Sequence, residues 1–196
     1  MQPQHWHYYE VPSTKVDPGD VIVDCGSAEG FFAFKNLTIA KKIYLIEPLP
    51  VFCNSLRKNF SDNENIEILH VALADKKSKG SILLNEISPI ASKIIPTENG
   101  IGTPVEITTI DSLFFDNNIK IDYLKADLEG FEEPMIQGAL KTIKAYKPKI
   151  AITAYHIGQD ANKLIDIITK EVPEYNYLLK GIEPHEGKAV MLHMWI

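Results

Sequence analysis

Short runs of β-branched and aliphatic residues alternate along this chain with stretches whose apolar residues recur every three to four positions, and no other feature constrains the fold as much. Val21 to Asp24, Ile43 to Glu47 and Ile66 to Leu73 read as strands, the first two apolar enough to be buried on both faces. Ile121 to Ala126 and Ile150 to Tyr155 repeat the pattern. Helices fall between them. Phe31 to Ala40 is one, and Pro50 to Phe60 is another, with Phe52, Leu56 and Phe60 on one stripe. A third carries Pro134 in its first turn and Ile136, Ala139, Leu140 and Ile143 on one face. A fourth starts at the cap residue Asp160 and runs to about Glu171, before Pro173. Strand-helix alternation of this kind predicts an α/β, doubly wound, mostly parallel sheet.

Two features modify that plan. Ser81 to Leu84 and Val105 to Ile110 read as an inserted strand pair, separated by the Ser-, Pro-, Gly- and Asn-rich segment Asn85 to Pro104, which reads as a surface loop. Tyr177 to Leu179 and Ala189 to Trp195, split by the Gly181 to Gly187 turn, close the chain as a C-terminal β-hairpin, which puts an antiparallel strand at or near the sheet edge.

The 196 residues are 45% hydrophobic and 23% charged, an ordinary globular balance that predicts one domain over 1–196, with residues 1–18 as an N-terminal segment and possible lid. The net charge of -6 is spread out, and the Lys76, Lys77, Lys79 cluster is offset by Asp75, so no nucleic-acid footprint is expected. No apolar run approaches the roughly 18 residues of a membrane span, and the first residues lack a signal peptide's order, so a cytoplasmic protein is expected. Cys25 and Cys53 lie in apolar stretches without metal-ligand spacing and read as buried thiols.

Ligands of doubly wound sheets bind at the carboxyl ends of strands near the point where strand order reverses, so the residues at strand ends are the informative ones. After the first strand comes Asp24-Cys25-Gly26-Ser27-Ala28-Glu29-Gly30, where Gly26 permits a tight turn and Gly30 lets the next helix begin close to a ligand. Any strand-to-helix turn favours glycine, so this turn alone is compatible with a purely structural role. Glu47, however, ends the second strand 21 positions after Gly26, where nucleoside-binding folds place a carboxylate that accepts from ribose hydroxyls. Glycines spaced Gly-x-x-x-Gly lack the second glycine of a pyrophosphate turn, which favours an adenosyl ligand over NAD. S-adenosyl-L-methionine would place its carboxylate at the turn and its ribose at Glu47, with Ala72 and Leu73 lining an adenine slot.

A further cluster, Tyr123-Leu124-Lys125-Ala126-Asp127-Leu128-Glu129-Gly130, brings two carboxylates to another strand end. Asp127 can take the methionine ammonium; both acids can equally cap the following helix. Two acids alone fix no metal geometry, so no metal is expected. His156, after Tyr155, is positioned to take a proton from an acceptor hydroxyl, or to serve as a hydrogen-bonded histidine without a catalytic part.

The stretches Gly19 to Gly26, Ile46-Glu47-Pro48-Leu49-Pro50, Thr109-Ile110-Asp111-Ser112-Leu113, Leu124 to Gly130 and Lys147-Pro148-Lys149-Ile150, in that order, make the chain resemble the FkbM-type methyltransferases over residues 18 to 180. That resemblance implies a seven-stranded Rossmann-like sheet of the class I methyltransferase type and S-adenosyl-L-methionine as cofactor. It implies Asp24, Gly26 and Glu47 around the cofactor with Asp127 to Glu129 nearby; with the strand-end reading, the cofactor candidates are Asp24, Gly26, Ser27, Gly30, Glu47, Pro48, Ala72, Leu73 and Asp127, and the catalytic candidates are His156, Glu129 and Asp127. The expected reaction is O-methylation of a small-molecule, sugar or lipid-like acceptor. The chain departs from the family pattern at Ser27-Ala28-Glu29, where Glu29 is expected to point outward. Two rival readings are a catalytically silent binding protein of the same fold and an NAD-dependent oxidoreductase. His5 to Tyr9 and the Asn85 to Pro104 segment are candidates for an acceptor-binding lid.

Overall fold

The computed structural model describes residues 5, 8–83, 93–96, 102–156 and 158–196. After a 3-10 turn at Pro12–Thr14 the chain runs through β1 (Val21–Cys25), α1 (Phe31–Asn36), β2 (Lys42–Ile46), α2 (Pro50–Asn59), β3 (Ile66–Leu69) and β4 (Ala72–Leu73). It continues through β5 (Ser78–Leu83), β6 (Lys93–Pro96), β7 (Thr103–Thr108) and a π-helical turn at Asp111–Phe115. The last part holds β8 (Tyr123–Ala126), α3 (Glu132–Gln137), α4 (Leu140–Tyr146), β9 (Lys149–Thr153), α5 (Ala161–Glu171), β10 (Asn176–Ile182) and β11 (Ala189–Trp195).

Seven strands form the main sheet in the order β10-β11-β9-β8-β1-β2-β3. All pairs from β9 to β3 are parallel, while β11 runs antiparallel between β9 and β10, as the terminal hairpin requires. This is the expected doubly wound α/β class, and chain order reverses between β1 and β8.

Strand alternation distributes the core over both faces. Val23 and Cys25 of β1, Leu124 and Ala126 of β8, and Ile150 and Ile152 of β9 pack with Met135, Ile136, Ile143, Leu164 and Ile168 from α3, α4 and α5. The intervening positions Ile22, Tyr123 and Ala151 pack on the other face with Phe32 and Ala33 of α1 and Leu56 of α2. Asp24 and Lys125 share the parity of Ile22 and Tyr123 and are register partners across β1 and β8. A charge at each of two such positions is stable only as a pair.

Three local expectations are corrected. The predicted strand Ile66 to Leu73 breaks at His70 and Val71, and Ala72 and Leu73 leave the main sheet to pair with β7. The inserted pair, β5 and β7, therefore sits inside a second sheet of order β4-β7-β5-β6. Part of the presumed loop, Lys93–Pro96, is a strand paired antiparallel with β5, and the rest of that segment up to Ile101 lies outside the described residues. The single helix expected after Pro134 is two. Asp111 accepts at Oδ1 from the Thr142 backbone N–H (2.8 Å) and hydroxyl (2.7 Å), and at Oδ2 from the Lys141 N–H (3.2 Å). It thereby caps α4 from another part of the chain, while its own N–H bonds Gly138 O at 2.8 Å. Among the described residues no helix is long and apolar enough to cross a membrane.

Candidate active site

The carboxyl ends of β1, β2 and β8 open onto a cavity of about 700 Å³, closed on another side by β4 and by Ile82 of β5. Its size falls in the range of small-molecule sites, roughly 300–1,000 Å³. The turn after β1 approaches the turn after β8 so closely that a Cβ on Gly26 would lie 1.9 Å from the Asp127 carbonyl oxygen. Only glycine fits there, and its φ of 72° suits it. Ala28 (φ 44°) and Glu129 (φ 51°) are non-glycine residues in the left-handed region, one in each turn. Both line the same cavity, and strained backbone of this kind clusters at functional sites.

Glu47 sits at the end of β2 and is buried. Its Oε2 accepts from the Ala28 N–H at 3.0 Å and its Oε1 from the Leu49 N–H at 2.9 Å. Burial pushes its pKa above the usual carboxylate range, against these two backbone donors. Each oxygen keeps acceptor capacity toward the cavity it lines. Ser27 donates to Asp24 O at 2.7 Å and closes the turn. Gly30, Pro48, Ala72 and Leu73 are also brought to this region; all but Gly30 line the cavity directly. Glu29 is exposed, as expected, while still lining it. One expectation weakens: α1 has six residues, and the Ala28 N–H of the turn is taken by Glu47, so the helix start offers little to an anion.

Beneath the turn, the Lys125 ammonium lies 2.9 Å from Asp24 Oδ1 and donates to Gly26 O at 2.7 Å. Burial, partly offset by Lys125, holds the Asp24 carboxyl above its ordinary pKa. Burial pulls the Lys125 amine down, but the Asp24 and Asp127 carboxylates outweigh it and hold it up. Asp24 therefore braces the turn through Lys125. Lys125 was not among the sequence candidates, although a lysine inside the apolar run Leu124 to Ala126 signals a buried partner.

The second cluster is organised by Glu132, whose side chain is 0% exposed. Its Oε1 accepts from the Leu128 N–H (2.8 Å), the Thr153 hydroxyl (3.0 Å) and His156 Nδ1 (2.9 Å). Its Oε2 accepts from the Gly130 N–H (3.0 Å) and from the Gln159 amide. A carboxylate so surrounded by donors can only accept, which places a proton on His156 Nδ1 and, in the neutral ring, the lone pair on Nε2. His156 Nε2 lies 3.6 Å from Asp127 Oδ1 and 3.5 Å from Glu129 Oε2. Burial alone would lower the His156 pKa; Glu132, Asp127 and Glu129 together raise it.

Asp127 and Glu129 line the cavity, whereas His156 is 7% exposed and stands behind them. This limits the expectation that His156 takes a proton directly from an acceptor: the cavity meets the two carboxylates first. Tyr9, from the N-terminal segment, donates to Asp127 Oδ2 at 2.5 Å, and its backbone carbonyl accepts from Tyr123. Its neighbours Trp6 and His7 lie outside the described residues. Glu132 and Gln159 were missed because no local pattern distinguishes Glu132 from a solvated helix residue or Gln159 from a solvated loop residue.

A family model described as the methyltransferase FkbM domain matches residues 24–179. No curated protein matches the sequence significantly. Among solved structures, methyltransferase FkbM from Methylobacillus flagellatus KT is similar with a TM-score of 0.71 at 20% identity, covering 99% of this chain and 50% of that one. The chain thus spans about half the length of that protein. Precorrin-6y C5,15-methyltransferase from Geobacter metallireducens GS-15 is similar at TM-score 0.55 and 12% identity, over 94% of this chain and 85% of that one. Aeropyrum pernix fibrillarin, solved with natively bound S-adenosyl-L-methionine, is similar at TM-score 0.56 and 13% identity, over 95% of this chain and 70% of that one. At these identities the likenesses show a shared fold.

Proposed function

The chain belongs to the FkbM-domain methyltransferases, whose family model spans residues 24–179, and from that premise we propose that it methylates a hydroxyl of a small-molecule, sugar or lipid-like acceptor with S-adenosyl-L-methionine. The observation that carries this reading is the meeting, in one cavity, of Glu47 held by two backbone N–H groups and the Gly26 turn pressed against Asp127. The residues suit the group: Glu47 for the ribose hydroxyls, Ala72 and Leu73 for the adenine, Pro48 beside them, and Asp127 for an ammonium. Bound there, S-adenosyl-L-methionine supplies an activated methyl group on a sulfonium.

The protein's own work is then positioning and exclusion of water, the part of such a reaction that alignment can speed by about 7–11 kcal/mol. Glu129, with 49% of its side chain exposed, reaches the cavity and can accept the acceptor's proton. His156 acts through Asp127 and Glu129 and is a positioning residue. Phe31 and Phe131 are exposed apolar side chains that line the cavity, which supports an acceptor with an apolar portion. The Tyr9 contact with Asp127 supports a lid role for the described part of the N-terminal segment around Tyr9. Both cysteines are free and buried, which suits a cytoplasmic setting.

The test is transfer of isotopically labelled methyl from S-adenosyl-L-methionine into a panel of hydroxylated sugars, lipids and polyketides. Label recovered as a base-stable ether supports the reading. Cofactor binding with no transfer to any class of acceptor would favour a silent binder, and preferential binding of NAD would favour an oxidoreductase.

A further inference from the structure

Asp127, Glu129 and His156 each offer one donor atom within 4.8 Å of the others. A cluster of acids alone would mean little; the histidine changes its character. His156 is 7% exposed, and its Nε2 has no hydrogen-bond partner. A buried imidazole nitrogen without a partner is costly unless something arrives to use its lone pair. Its ring is held for that purpose, since Nδ1 is committed to Glu132, itself fixed by Thr153, Gln159 and two backbone N–H groups. A carboxylate behind a histidine, setting its tautomer and raising its basicity, is the usual support of a metal-bound imidazole.

Spacing separates this from a simple hydrogen-bonded histidine. At 3.6 and 3.5 Å from Asp127 and Glu129 oxygens, Nε2 is beyond ordinary hydrogen-bonding distance to either. An ion with bonds of about 2.0–2.2 Å in tetrahedral geometry separates its donors by about 3.3–3.6 Å. Charge points the same way. Four carboxylates, Asp24, Asp127, Glu129 and Glu132, converge on this end of the site, and Lys125, paired with Asp24 and also near Asp127, offsets only part of their charge.

We propose that Asp127, Glu129 and His156 Nε2 form a divalent-cation site beside the cavity, with one nitrogen and two oxygen donors and open positions toward the acceptor. An imidazole donor favours a first-row metal such as zinc or manganese over magnesium or calcium. The ion's role in orienting an acceptor hydroxyl rests on the methyl-transfer reading; its binding does not.

Calorimetric titration of the whole chain with zinc and manganese chlorides, with magnesium and calcium chlorides for comparison, tests the site without any turnover. The expected result is one zinc or manganese ion per chain, bound at least tenfold more tightly than magnesium. His156→Gln and the surface-exposed Glu129→Gln each weaken zinc binding at least tenfold, with the fold of each variant checked by circular dichroism. No saturable binding, or binding unchanged in both variants, would overturn the proposal. The two readings fail separately: zinc binding without S-adenosylhomocysteine binding removes the methyltransferase reading alone, and the reverse removes the cation site alone.

Discussion

Glu47 and Lys125 are both buried and charged, yet their removal has different consequences. Glu47 faces the cavity, so on the proposed function Glu47→Ala would leave ribose hydroxyls without an acceptor, at about 1–3 kcal/mol. The expected result is S-adenosylhomocysteine affinity lowered about 5- to 150-fold in a calorimetric titration. Lys125 faces Asp24, and Lys125→Met leaves that carboxylate uncompensated in the sheet. Urea denaturation is expected to show a loss of about 3–5 kcal/mol, most of it recovered in Asp24→Leu/Lys125→Met, because an apolar pair replaces an ionic one at little net cost. No recovery in the double variant would mean that Lys125 supports the turn chiefly through Gly26 O. The place of Glu47 at the cavity was legible in the sequence because it ends an apolar strand at an informative distance from a glycine turn. The Asp24–Lys125 pair was not, since register between strands 100 residues apart is invisible in local spacing.

At the scale of elements, the sheet strands and most helices could be read from periodicity, and α5 began at its predicted cap, where Asp160 accepts from the Asn162 N–H at 2.9 Å. The breaks could not. The kink after Leu69 and the division of α3 from α4 are tertiary effects, the second set by Asp111 reaching across about 30 residues to the α4 N-terminus. Asp111→Ala is expected to cost about 1–3 kcal/mol by denaturant titration, with S-adenosylhomocysteine affinity little changed. A large loss of affinity with unchanged stability would instead place Asp111 in the site. Strand β11 carries a second test. Its His193 is fully buried, with Nδ1 2.9 Å from the Thr14 hydroxyl, and burial, then Lys180, lowers its pKa to about 4. The unfolded chain binds a proton below about pH 6.5 that the folded chain refuses until about pH 4. Stability contributed by neutral His193 is therefore whole above pH 6.5 and is lost as pH falls, by about 2 kcal/mol between pH 7 and pH 5. His193→Gln is expected to flatten that interval relative to the parent; an unchanged slope would assign the titration elsewhere.

For the molecule as a whole, the seven-stranded sheet explains why residues so distant in sequence converge. Reversal of strand order between β1 and β8 separates their following turns just enough to leave a cavity, and Gly26 lets the turns touch beneath it. The second sheet supplies the apolar wall through Ala72, Leu73 and Ile82, which no single local motif predicts because β4 changes sheets within two residues. On the proposed function, this cavity holds an adenosyl group against Glu47. Titration of the purified chain with S-adenosylhomocysteine, alongside NAD and NADH, tests it most directly. Saturable, one-to-one binding of S-adenosylhomocysteine that Glu47→Ala weakens, with no comparable binding of either nicotinamide, is the expected result; absence of that binding, or preference for NAD, would overturn the assignment.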